Sequence, residues 1–218
     1  MKQFEKQWLQ KLQNALQKIG REDLFDGLIS GKEDETMISW SKKMMEKLSE
    51  ELTQKQIEEV MCGCACLRPK TDLKELRKEY CRTKDIKTIH QKMQGIFEVY
   101  IKKYKQLSDQ QIDMINELGM GMVGKLEDNI VTVSKIPKEF HKYFACDDEK
   151  MKKYYYCHCP RIREVLLSEE EPVDTNYCYC GAGFYKDIWE FILQKPVKVK
   201  LIESIMQGDD VCKIKIEL

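Results

Sequence analysis

The apolar residues of this chain change their period once along its length, and that change most restricts the fold. Phe4, Trp8, Leu12, Ala15, Leu16 and Ile19 recur at the spacing of one helix face over residues 2–19, and Gly20 is a natural stop. Met37, Trp40, Met44 and Leu48 repeat the stripe from about Glu35 to Leu52. Ile86, Ile89, Met93, Phe97, Tyr100 and Tyr104 repeat it from about Asp85 to Leu107. Near the C-terminus the period falls to two. Val197, Val199 and Leu201 alternate with lysines, and Cys212, Ile214, Ile216 and Leu218 alternate with Val211, Lys213, Lys215 and Glu217. Gly208-Asp209 supplies turn chemistry between the two runs. Segregated helical and alternating blocks predict an α+β chain. A helical N-terminal region, 1–125, packs on a C-terminal antiparallel-sheet domain, 126–218, that ends in a β-hairpin.

Local signals sharpen the element boundaries. Thr53 with Gln56, and Ser108 with Gln111, have the spacing of capping boxes that open helices. Thr71 is placed to cap a helix over Asp72–Cys81. Ile130-Val131-Thr132-Val133 is β-branched and predicts a strand. Pro137–Ala145 and Arg161–Leu167 predict short helices, and Ala182–Gln194 a longer one. Lys152–Cys159, with Tyr154, Tyr155 and Tyr156, predicts a strand whose tyrosines serve the core or line a pocket. Gly119, Gly121 and Gly124 match G-x-G-x-x-G, but a nucleotide fingerprint needs a strand before the glycines and a helix after them. Here the order is reversed, so the glycines are read as a connector.

Charge excludes some functions. The 37 basic and 37 acidic residues cancel, which argues against a dedicated nucleic-acid binder. No apolar run is long enough to span a bilayer, and Met1-Lys2-Gln3-Phe4-Glu5 lacks a signal-peptide core. The expectation is a cytoplasmic protein, with a small-molecule ligand, no membrane or nucleic-acid partner, and a homodimer left open.

The ten cysteines carry the chemistry of the sequence. In a reducing compartment they are thiols or metal ligands and not a disulfide framework. Seven fall at C-x-C spacing: Cys62, Cys64 and Cys66, then Cys157 and Cys159, then Cys178 and Cys180. On strands, residues i and i+2 share a face, so Cys157, Cys159, Cys178 and Cys180 would offer four thiolates to a tetrahedral zinc. The alternative is a set of buried, inert cysteines. A second alternative drops the metal. Cys180, just before a predicted helix, becomes a nucleophile activated by the helix N-terminus, with His158 or Glu203 as acid–base. The triplet Cys62, Cys64 and Cys66 either joins the C-terminal set, or forms a second site with Cys81 as a fourth ligand, or is a helix end with small side chains. Glu203 shares strand parity with Val197, Val199 and Leu201, so it is expected to point inward or to reach solvent at the strand end. His90 reads as structural and His141 as exposed.

The segment Cys178-Tyr179-Cys180-Gly181-Ala182-Gly183-Phe184-Tyr185, followed by Trp189, Pro196-Val197, Glu203 and Gly208-Asp209-Asp210-Val211-Cys212, resembles the end of 4-vinyl reductase-type domains. It is also similar to bacterial proteins grouped with L-2-amino-thiazoline-4-carboxylate hydrolase. The resemblance implies an α+β module that binds small hydrophobic molecules, with zinc held by cysteines in some members. Met206 stands where those domains tend to have cysteine. Together these readings predict a small-molecule-binding or sensing protein organised by a cysteine-ligated zinc. The alternatives are a metal- or cysteine-dependent hydrolase, or a scaffold without a chemical site.

Overall fold

The computed structural model describes residues 3–218, with Tyr104 described as backbone only. Lys2, at the start of the predicted first helix, and the Tyr104 side chain, on the stripe of a later one, lie outside the described residues. In chain order the elements are α1 (Gln3–Lys18), α2 (Phe25–Ile29), α3 (Met37–Glu51), α4 (Gln54–Gly63), α5 (Lys74–Thr83), α6 (Ile86–Lys105), α7 (Asp109–Glu117), β1 (Lys125–Glu127), β2 (Ile130–Ser134), α8 (Phe140–Phe144), α9 (Glu149–Tyr156), α10 (Tyr179–Leu193), β3 (Lys198–Glu203) and β4 (Lys213–Glu217). The chain is α+β, with a helical N-terminal region and a C-terminal antiparallel sheet ending in the β3–β4 hairpin. It divides into two compact units. One takes in the chain up to Cys66, Pro137–Phe184 and Ser204–Asp210; the other takes in Leu67–Ile136, Tyr185–Glu203 and Val211–Leu218. Both units draw on residues from either side of position 125.

In the first unit, α1 buries Trp8, Leu12 and Leu16, and α3 buries Trp40, Met44 and Leu48, the stripes expected from their periods. The Thr36 side chain caps α3 by accepting from the Ser39 N–H at 3.1 Å. The Thr53–Gln56 capping box opens α4. Tyr154-Tyr155-Tyr156 corrects the sequence reading. The segment expected to be a strand is α9, because the Asp148 side chain accepts from the Met151 N–H at 2.7 Å and starts a helix. A local cap overrides the β preference of three tyrosines, and of the three only Tyr156 is fully buried.

In the second unit, the four strands run in the order β1-β2-β4-β3, all antiparallel. Ile214 pairs with Val133 on one side and Leu201 on the other, and Ile216 pairs with Val131 and Val199. Ile214, Ile216, Val131 and Val133 are fully buried, each contributing about 1.5–3 kcal/mol. The period-two pattern therefore marks the buried face. β1 is absent from the sequence reading because three residues are too few to show a period. The glycine segment is tied to the sheet. The Gly121 N–H donates to the Ser134 carbonyl at 2.7 Å, and the Ser134 N–H donates to the Gly119 carbonyl at 2.9 Å. Gly121 has φ +107°, and a Cβ there would lie 2.2 Å from the ring of Phe97 on α6. The glycines thus let helix and sheet approach closely.

Candidate functional site

The first unit is organised around a buried cation. Trp8 and Trp40 come together edge to face with ring centroids 5.8 Å apart, and Tyr177 stacks on Trp8 at 6.1 Å. The turn after Cys157-His158-Cys159-Pro160 delivers Arg161 onto these rings. The turn is closed by the Arg163 N–H donating to the Cys159 carbonyl at 3.1 Å. Arg161 is only 4% exposed. Its guanidinium lies 4.0 Å from the Trp8 centroid and 5.2 Å from that of Trp40. Nε donates to the Tyr177 hydroxyl at 2.6 Å and Nη1 to Glu5 Oε2 at 2.5 Å. Lys32 Nζ stands 3.4 Å from the same Glu5 oxygen. A planar guanidinium suits this place because it can stack on indole and donate in its own plane at once. Nη2 is buried and finds no hydrogen-bond partner among the described residues.

Cysteines lie near this cation and its phenol partner. The triplet closes α4: the Cys64 N–H donates to the Val60 and Met61 carbonyls, and Lys11 Nζ donates to the Ala65 carbonyl at 2.7 Å. Burial pushes the Cys64 thiol up to about 12, against the opposing pull of Arg161 and Lys11. The Tyr177 hydroxyl is likewise held well above its ordinary value by burial; Arg161 opposes this, and the nearby Cys159 and Cys180 reinforce it. Gly183 on α10 packs onto α4 so closely that a Cβ there would lie 2.1 Å from the Cys62 carbonyl oxygen. The triplet, the Cys159 turn and the start of α10 therefore converge around Arg161 and Tyr177.

They do not converge as a zinc centre. Among the described residues no three or more of His, Cys, Asp and Glu are arranged to hold a metal ion. This overturns the expected zinc on Cys157, Cys159, Cys178 and Cys180. With it go the metal-organised sensor and the metal-dependent, hydrolase-like readings. The physical reason lies in the backbone. Cys157 is the C-cap of α9, Cys178 ends a 3₁₀ turn over Thr175–Cys178, and Cys180 is the second residue of α10. Cys178 and Cys180 stand in consecutive helical turns, where positions two apart are turned by about 200° and do not share a face, and Cys157 and Cys159 follow the end of α9 and belong to no strand.

The remaining candidates are placed as follows. His158 is exposed, Cys159 and Cys180 are half-buried, and Cys157 is 7% exposed. Cys180 does lie in the first turn of a helix. Glu203 belongs to the other unit, where it is ion-paired with Lys213 across the β3–β4 ladder. It is half-buried, in step with Val199 and Leu201 in the alternation of β3, and a register shift between Leu201 and Glu203 sets it opposite Lys213. Sequence reasoning missed Arg161, Tyr177 and Glu5. The trace of Arg161 in the sequence was its place directly after a C-x-C-Pro turn.

Fold and interior together define an α+β protein whose first unit is built on a buried, aromatic-clasped arginine, fringed by cysteine-bearing turns. The chain belongs to a Family of unknown function (DUF6144), which matches residues 104–218. It is also similar to an uncharacterised protein of Methanocaldococcus jannaschii, MJ0745. That relative is 28% identical over 172 residues, covering 67% of this chain and 93% of the relative. It is archaeal, so the expected bacterial grouping is unsupported. No solved structure matches. Neither match bears on the expected resemblance of residues 178–212 to 4-vinyl reductase-type domains. Among the described residues no helix is long and apolar enough to cross a membrane.

Proposed function

We propose that this chain is a scaffold whose cysteine-bearing turns serve its architecture. The observation that carries the reading is Cys64, fully buried beside Arg161 with its thiol pushed up to about 12. At neutral pH such a sulfur is a protonated, small apolar side chain and not a nucleophile. Arg161 gives the surrounding turns a polar anchor, joining Tyr177 from one segment to Glu5 from another. A scaffold acts through what its surface holds, here a small molecule or a second copy of the chain. A cytoplasmic setting keeps its thiols reduced.

Thiol counting tests this. With a small alkylating reagent at neutral pH, the exposed Cys66 and Cys81 should react at once. Cys64 should stay silent until denaturant unfolds the chain. Rapid labelling of Cys64 in the folded protein, or a metal that co-purifies in stoichiometric amount, overturns the reading.

A further inference from the structure

A cavity of about 380 Å³ opens in the unit that carries the sheet, a volume within the range of small-molecule sites. Its lining includes His90 and Gln94 from α6, Asn116 from α7, and Gly119, Lys125 and Glu127 around β1. Two of the walls are polar but neutral. His90 donates from Nε2 to the Gly124 carbonyl at 3.1 Å, and burial lowers its pKa below the ordinary 6.5. The imidazole is therefore uncharged at neutral pH. Gln94 donates to Glu98 at 3.0 Å and also to Asn116, and Asn116 donates to the same Glu98 oxygen at 2.8 Å. The amides are held in place and the Glu98 charge is engaged by them.

The charge available to a ligand comes from β1. Lys125 and Glu127 alternate on that strand, so both side chains leave the same face about 7 Å apart along it. Neither has an ion-pair partner among the described residues. The Lys125 stem runs over Gly119, which has φ +62°; a Cβ there would lie 3.2 Å from Lys125 Cγ. The absent side chain leaves the lysine its path along the cavity wall. One cation and one anion, side by side above neutral polar walls, disfavour a ligand with a single charge. A simple anion meets Glu127 and a simple cation meets Lys125. A molecule with both charges satisfies the pair.

We propose that this pocket binds a small zwitterion of amino-acid size, its carboxylate taken by Lys125 and its ammonium by Glu127. The proposal rests on the second unit alone and stands apart from the role of the cysteines.

The test uses the full chain. Each proteinogenic amino acid is titrated and followed by thermal shift and by amide resonances in ¹H–¹⁵N spectra. Succinate and putrescine serve as carboxylate-only and amine-only controls. At least one amino acid should raise the Tm and move the resonances of Gly119, Gly124 and Lys125, with neither control doing so. Lys125→Gln and Glu127→Gln, both at exposed positions, should leave the fold intact and each weaken binding about tenfold. The proposal is overturned if no amino acid moves those resonances, if succinate or putrescine binds as well, or if both variants bind like the parent.

Discussion

Two ion pairs in this molecule use the same chemistry at opposite depths. Arg161 meets Glu5 in the first unit with side-chain exposures of 2% and 13%, whereas Lys213 meets Glu203 in the hairpin of the second at 34% and 33%. Water screens the hairpin pair, whose net worth is below about 1 kcal/mol. At Arg161 water is replaced by two indole faces and a phenol, and the cation depends on those groups and on Glu5. A buried pair of this sort adds little over an apolar replacement of equal shape, yet removing one member leaves the other stranded. The interior pair is thus a device for arranging segments, and the hairpin pair decorates a ladder already held by Ile214 and Ile216.

The comparison breaks or sharpens under substitution. Arg161→Ala should cost about 3–5 kcal/mol in urea unfolding, since Glu5 and Tyr177 lose their partner inside the protein. Arg161→Lys should recover only part of that, because an ammonium cannot donate in a plane while stacked on Trp8. Gly183→Ala should cost about 1–3 kcal/mol, because the new methyl group meets the Cys62 carbonyl and α10 must shift. Glu203→Gln should cost less than about 1 kcal/mol. If it matched Arg161→Ala, depth would not be what separates the two pairs.

Two pH effects of smaller size follow from burial. The Cys64 thiol rises from an ordinary 9.0 to about 12 in the folded protein. Above pH 9 the unfolded chain ionises first, so the contribution is complete below 9 and is lost between about 9 and 12. Cys64→Ser should flatten that alkaline limb of stability against pH. His90 has the opposite sign. Its folded pKa lies below 6.5, so as pH falls the unfolded chain takes the proton first. Stability from this group is complete above 6.5 and declines below it, and His90→Asn should remove the slope in acid unfolding curves.

Elements governed by their near neighbours are legible in the sequence. The capping boxes at Thr53 and Ser108, the stripes through Trp8 and Trp40, and the alternation through Ile214 and Ile216 all reappear. The failures have one pattern. The β preference of Tyr154-Tyr155-Tyr156 yields to the cap at Asp148, which starts a helix. Strand geometry for the C-x-C pairs fails likewise, because Cys178 and Cys180 open a helix and Cys157 and Cys159 follow the end of another. The group at the centre of the first unit is an arginine and not a cysteine.

By itself the sequence determined where helices begin, where the period switches from helical to alternating, and which face of the terminal hairpin is dry. Those outcomes depend on hydrogen bonds and side-chain spacing within a few residues of each other. Only the tertiary structure decided that Arg161 would be buried and that the cysteine turns would gather around it. That arrangement needs Glu5 and Trp8 from α1 to meet Trp40 from α3 and Tyr177 from before α10. The desolvation of a charge depends on everything that surrounds it, and no local pattern records such a gathering.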